Sequence, residues 1–187
     1  MNYQIVLIND TNKWANTLNN VFVCNNQKHE LETYIQYIVE HYDELPSYLI
    51  LLKDNTFVGN LYLNEDNAIQ KIEWILSRFN NEPIGDAIPF FNKPIEEGHY
   101  PSPEIRVPDY YYLFFDGSIP NKFEYNKENQ YILSRISIKN RPKEFYIKII
   151  KMLNTEYKKP SKDSITIPIL QRIFPYLFDT NLNSILI

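Results

Sequence analysis

The sequence predicts an α/β fold, a mainly parallel sheet flanked by helices. Three observations carry that prediction. Apolar runs of strand length recur at Tyr3 to Ile8, Val21 to Cys24 and Tyr48 to Leu52. A helix-periodic segment lies between the second and third of them. Each run also stops at a polar turn: Asn9-Asp10, Asn25-Asn26 and Lys53-Asp54-Asn55.

Taken in order, Tyr3 to Ile8 reads as a buried strand, and Thr11 is a cap for a short helix through Leu18. Val21 to Cys24 is the second strand. The long helix follows, with Leu31, Tyr34, Ile35, Ile38, Tyr42 and Leu45 on one face of a 3.6-residue repeat. Glu30 and Glu32 occupy its first turn, where the helix dipole favours negative charge. Pro46 marks its exit, and Tyr48 to Leu52 forms the next strand.

Thr56 to Leu63 is a hairpin partner for that strand, and Ile69, Ile72, Leu76 and Phe79 mark a second amphipathic helix. Residues 80–108 hold six of the twelve prolines and read as a long ordered loop of the kind that shapes binding sites. Tyr110 to Phe115 is a strand closed by Asp116-Gly117, and Gln130 to Ile138 is another. Two helices end the chain. One starts near Pro142 and buries Phe145, Tyr146, Ile149, Ile150 and Leu153. The other opens at Pro168 and is kinked or ended by Pro175.

Composition narrows the function classes. The 187 residues suit one domain, 1–187, and a 44% hydrophobic content with 15% aromatics supplies a core. A net charge of −4 and thinly spread cations argue against a nucleic-acid partner. The lone Cys24 excludes an intrachain disulfide and a cysteine-based zinc site. No run approaches the length of a membrane span and no export signal is seen, so cytoplasmic residence is expected.

Four scattered glycines cannot form a phosphate loop, and no Gly-x-Ser-x-Gly elbow is present. His29, His41 and His99 lack metal-ligand spacing. Asn9-Asp10 is either a pair that grips a ribose or base edge, or a turn with a helix cap. Lys28-His29-Glu30 opens the strongest helix directly after a strand, which suits anion binding or a solvated cap equally. Asp109 and Asp116 bracket an apolar run, and Asp116-Gly117 also fits a plain turn. Arg135 lies among Tyr131, Leu133 and Ile136, so it requires an anionic or carbonyl partner: a phosphate, or a carboxylate such as Glu30.

Three blocks resemble one family. They are His29-Glu30-Leu31-Glu32-Thr33-Tyr34-Ile35 with Ile38, Tyr42, Leu45 and Pro46; Gln130-Tyr131-Ile132-Leu133-Ser134-Arg135 with Ile138, Arg141, Pro142, Phe145 and Tyr146; and Leu170-Gln171-Arg172-Ile173-Phe174-Pro175. In order and spacing they are similar to the domain-of-unknown-function family 3431, grouped with glycosyltransferase-like proteins. Ile8-Asn9-Asp10 with Trp14 is similar to its first strand and turn. The family's Gly-Arg-Glu is Lys28-His29-Glu30 here, its terminal acid is Gln171, and residues 56–128 carry none of the blocks in which the resemblance lies.

The resemblance implies a glycosyltransferase A-like, Rossmann-like domain that uses a sugar nucleotide donor on a saccharide or protein acceptor. It implies that Asn9, Asp10, Lys28, His29 and Arg135 bind the donor and that Glu30 and Asp116 serve the acceptor. A divalent metal, manganese or magnesium, accompanies many such donors, yet the sequence has no Asp-x-Asp to anchor one. The alternative is a non-catalytic relative that binds carbohydrate or a partner.

Overall fold

A computed structural model describes residues 3–8, 20–24, 29–53, 70, 74, 77, 87–89, 95–98, 106–126, 129–157 and 166–184. Its strands in chain order are β1 (Tyr3–Ile8), β2 (Val21–Cys24), β3 (Tyr48–Lys53), β4 (Ile88–Pro89), β5 (Ile95–Glu97), β6 (Phe115–Asp116), β7 (Phe123–Tyr125), β8 (Tyr131–Ser134) and β9 (Asn183–Ser184). Its helices are α1 (Glu30–Glu40), α2 (Val107–Tyr111), α3 (Arg135–Lys139), α4 (Lys143–Tyr157) and α5 (Thr166–Ile173), with 3-10 turns at Tyr42–Glu44 and Phe174–Phe178.

The main sheet has the order β2-β1-β3-β8-β4. β1 pairs in parallel with both β2 and β3, whereas β8 runs antiparallel to β3 and to β4. The expected mainly parallel sheet is therefore corrected to a mixed one. A parallel neighbour needs a crossover that returns the chain to the same edge. α1 supplies that crossover between β2 and β3. β8 is instead entered from β7 through the short turn around Asn126 and Asn129, at the edge where β3 ends, so it runs back the other way.

Side chains alternate across the sheet as the pleat requires. Val6, Leu49, Leu51, Tyr131 and Leu133 share one core with Leu31, Tyr34, Ile35 and Ile38 of α1 and with Phe145, Tyr146, Ile149 and Leu153 of α4. On the opposite face Ile5, Ile50, Leu52 and Ile132 are buried as well. Ile169, Leu170 and Ile173 of α5, then Phe174, Leu177 and Phe178 of the 3-10 turn, complete the core. Pro175 lies inside that turn, where the α-helical bonding gives way.

Three local expectations are corrected. Of Tyr110 to Phe115 only Phe115 is in a strand, β6: Pro108 stands in the first turn of α2, and the buried positions Val107, Tyr111 and Phe114 follow helical spacing, with Tyr112 and Leu113 exposed. The strand expected over Gln130 to Ile138 stops at Ser134. The Ser134 hydroxyl accepts from the Ser137 N–H at 2.9 Å and caps α3. Residues 80–108 contain β4, β5 and the start of α2 rather than loop alone. The expected helix at Thr11 to Leu18 and the hairpin at Thr56 to Leu63 lie outside the described residues. Gln70, Trp74 and Ser77 are helical, within the second amphipathic segment.

Candidate functional site

Parallel strands joined by a crossover bring their carboxyl ends to one edge, and the register does so here. Ile8, the last residue of β1, is paired with both Cys24 and Lys53, the last residues of β2 and β3. The chain leaves β1 toward β2 on one side and returns through α1 to β3 on the other. Such a reversal of strand order is where ligands bind in open α/β sheets. The strands that precede the three polar turns singled out in the sequence are thus neighbours, while residues 25–26 and 54–55 of those turns lie outside the described residues. Asn9, Asp10 and Lys28 themselves lie outside the described residues.

The first turn of α1 stands at this edge. His29 is the N-cap: its Nδ1 accepts from the Leu31 N–H at 3.3 Å, and its carbonyl accepts from the N–H and the hydroxyl of Thr33. A histidine whose Nδ1 accepts carries its neutral-form proton on Nε2. That atom is 3.6 Å from Oε1 of Glu30. Glu30 also accepts from Nδ2 of Asn129 at 2.7 Å. A carboxylate at the positive end of a helix is favourably placed, and the amide donor fixes its direction.

Asn129 arrives from the other side of the sheet. The turn from β7 to β8 is closed by its N–H donating to the Asn126 carbonyl at 3.0 Å, with Asn129 at φ 55° in the left-handed region. Asparagine tolerates that conformation better than most side chains. Asn126 holds the turn shut, since its Nδ2 donates to the Gln130 carbonyl and its N–H to the Tyr131 hydroxyl. Asn126, Asn129 and Gln130 are all buried. The Asn129 amide oxygen has no hydrogen-bond partner.

Of the predicted site residues, the structure brings His29 and Glu30 together and puts two others elsewhere. Arg135 is exposed at the start of α3. Its N–H donates to the Ser47 carbonyl at 2.9 Å and its Nη1 to the Leu45 carbonyl at 3.4 Å. Leu45 follows the carboxyl-terminal end of α1, while Glu30 is its first residue. The expected Glu30–Arg135 pair does not form, because eleven helical residues separate the two ends by about 16 Å. The antiparallel course of β8 is the cause: Tyr131 faces Leu51 near the carboxyl edge and Ser134 faces Tyr48 at the opposite one. Asp116 is exposed in the small β6–β9 sheet, opposite Asn183 and before Gly117 at φ 115°. That is the turn geometry its Asp-Gly sequence also fits.

The buried guanidinium is Arg141. Its Nη1 donates to the Leu182 carbonyl at 2.6 Å and its Nη2 to the Asp179 carbonyl at 2.9 Å, between the rings of Phe115 and Phe145. Burial pushes its pKa down. Asn129 was missed in the sequence, although an Asn two residues before a strand is of the residue type that accepts a left-handed turn. Among the described residues no group of three or more His, Cys, Asp and Glu is placed to hold a metal ion. Among them, too, no helix is long and apolar enough to cross a membrane.

The model of a family described as "Protein of unknown function (DUF3431)" covers residues 3–184. No curated protein and no solved structure matches the chain.

Proposed function

We propose that the chain, which belongs to this family, is a glycosyltransferase-like domain that binds a sugar nucleotide at the carboxyl edge of β1, β2 and β3. One observation carries the reading: three parallel strands end in register beside the N-terminus of a helix, at a reversal of strand order. In this reading Asn9 and Asp10 follow β1 and meet the nucleoside. Lys28 and His29 meet the diphosphate, and Glu30, oriented by Asn129, takes the proton of an acceptor hydroxyl. The glycosyltransferase A-like assignment of the fold belongs to the same proposal. The parallel β2-β1-β3 unit with its α1 crossover supports it. Arg135 and Asp116 no longer have a part, since they stand away from this edge.

A second reading, a saccharide-binding domain without transferase activity, is favoured by the chemistry of the Glu30–Asn129 pair. A carboxylate and an amide oxygen accept from hydroxyls and do nothing for a diphosphate. Calorimetry of the full chain with uridine and guanosine diphosphates, with and without manganese, separates the two. The transferase reading expects binding that weakens in Lys28→Ala/His29→Ala and at high salt. Equal binding by the double variant removes Lys28 and His29 from the site, and no nucleotide binding at millimolar concentration leaves the saccharide reading.

A further inference from the structure

We propose that Glu30 and Asn129 together form a receptor for a vicinal diol, two adjacent hydroxyls on a ribose or saccharide ring. The inference rests on the reading that a ligand occupies the carboxyl edge, and it names the chemical group met there. Asn129 provides the independent observation. Its residue is 2% exposed and its amide is aimed at the first residue of α1 by the 2.7 Å bond from Nδ2 to Glu30. Its Oδ1 nevertheless has no donor. Buried acceptors are nearly always satisfied, by protein, water or ligand, so this oxygen is free to take a donor from outside the chain.

The identity of that group follows from the lining. The amide oxygen only accepts, and so does the carboxylate beside it. At these two groups a phosphate or a carboxylate ligand would meet acceptor with acceptor, the nearby donor being His29 Nε2. Two neighbouring acceptors instead match two neighbouring O–H donors, and a carboxylate hydrogen bond to a hydroxyl is a strong one. Glu30, with 16% of its side chain exposed, is the part of the pair that reaches the surface. The turn that carries Asn129 is held by Asn126, so the amide is fixed before a ligand arrives.

The test follows the side-chain amide resonance of Asn129 in the isotopically labelled full chain. Uridine is titrated against 2′,3′-dideoxyuridine, and methyl mannopyranoside against its 2,3-dideoxy counterpart, which has no pair of adjacent hydroxyls. The expected result is a saturating shift with at least one diol and a response to its deoxy counterpart at least tenfold weaker. Which arm responds identifies ribose or saccharide as the source. Asn129→Gly, which suits the positive φ, is expected to weaken the responding diol at least tenfold, read on the backbone resonances of α1. Should that variant not fold, Glu30→Gln, which keeps the side-chain shape, is expected to weaken it severalfold. No shift with either diol overturns the proposal. So does equal response to diol and deoxy probes, or an equal shift with methylammonium, which marks a cation site. Uridine diphosphate binding as tightly as its dideoxy counterpart removes the diol and leaves the nucleotide reading standing. A diol-dependent mannoside response without any nucleotide binding does the reverse.

Discussion

The two ends of α1 both bury polar groups against the sheet, and they use them in opposite ways. Past the carboxyl-terminal end, Arg141 spends two guanidinium bonds on backbone carbonyls, and Tyr42 donates its hydroxyl to the carbonyl of Arg141. Arg135 reaches the Leu45 carbonyl. Each of these bonds ties one stretch of chain to another, and only the Arg141 Nε among these donor groups is buried without a partner. At the amino-terminal end the Glu30 carboxylate accepts from the Asn129 side chain, whose own amide oxygen, an acceptor, is left without a donor. Chain that is fastened to itself is structure. An acceptor held in place without a donor, at the edge where strand order reverses, is the better candidate for function.

The largest test of that contrast is Arg141→Ala. It strips the Asp179 and Leu182 carbonyls of charge-assisted bonds and opens space between Phe115 and Phe145. A loss on the order of 3–5 kcal/mol is expected in urea unfolding, with nucleotide or saccharide binding unchanged under conditions where the variant is folded. Selective loss of binding by a stable Arg141→Ala would break the division of roles.

Alkaline pH should come next. Burial raises the Tyr111 hydroxyl to about 12, with Tyr176 and Asp179 adding to it, and burial also raises Tyr131 and Tyr146. These groups hold their protons more tightly when folded, so the stability they carry is complete below about pH 10, the ordinary value of a tyrosine in the unfolded chain. It falls as pH rises from there through about 12. Melting temperatures that stay flat across that interval would show these hydroxyls ionising without opening the core.

Tyr42→Phe removes one hydroxyl bond at the fastened end and is expected to cost about 0.5–1.5 kcal/mol. The smallest effect belongs to Arg135→Met, within about 0.5 kcal/mol of wild type because its guanidinium is exposed. Pairing it with Glu30→Gln should show no coupling in a double-mutant cycle, since the two side chains sit at opposite ends of one helix.

The same contrast marks how far the sequence could be read. α1 was legible because its apolar residues repeat at 3.6 and are buried as that spacing requires, at Leu31, Tyr34, Ile35 and Ile38. The three strand ends were legible because Asn and Asp stop apolar runs. The direction of β8 was not, because an apolar run carries no sign of which way it will be laid beside a neighbour. Arg135 was misplaced for a related reason. Its apolar neighbours suggested burial, but the cap made by Ser134 turned it out to solvent one residue after the strand. Arg141 carried the opposite signal, standing between Asn140 and Pro142 like a surface residue, and only the far segment at Asp179 to Leu182 explains its burial. Asn129 depended on a partner at Glu30, 99 residues away, and no local pattern records such a meeting.

The pairing of β3 with β8 also has a consequence during synthesis. The register joins Tyr48–Leu51 to Tyr131–Ser134. At roughly 5–20 residues per second, the stretch of about 80 residues between Leu51 and Tyr131 takes a ribosome about 4–16 s to make. Local elements form within microseconds to milliseconds, so β1, β2, α1 and β3 have ample time to assemble first. Throughout that interval Leu49, Ile50, Leu51 and Leu52 form an unfinished border, apolar on both faces and with its hydrogen-bonding groups open to any strand nearby. A nascent chain stalled within that stretch should therefore be the form most dependent on chaperones and most ready to aggregate.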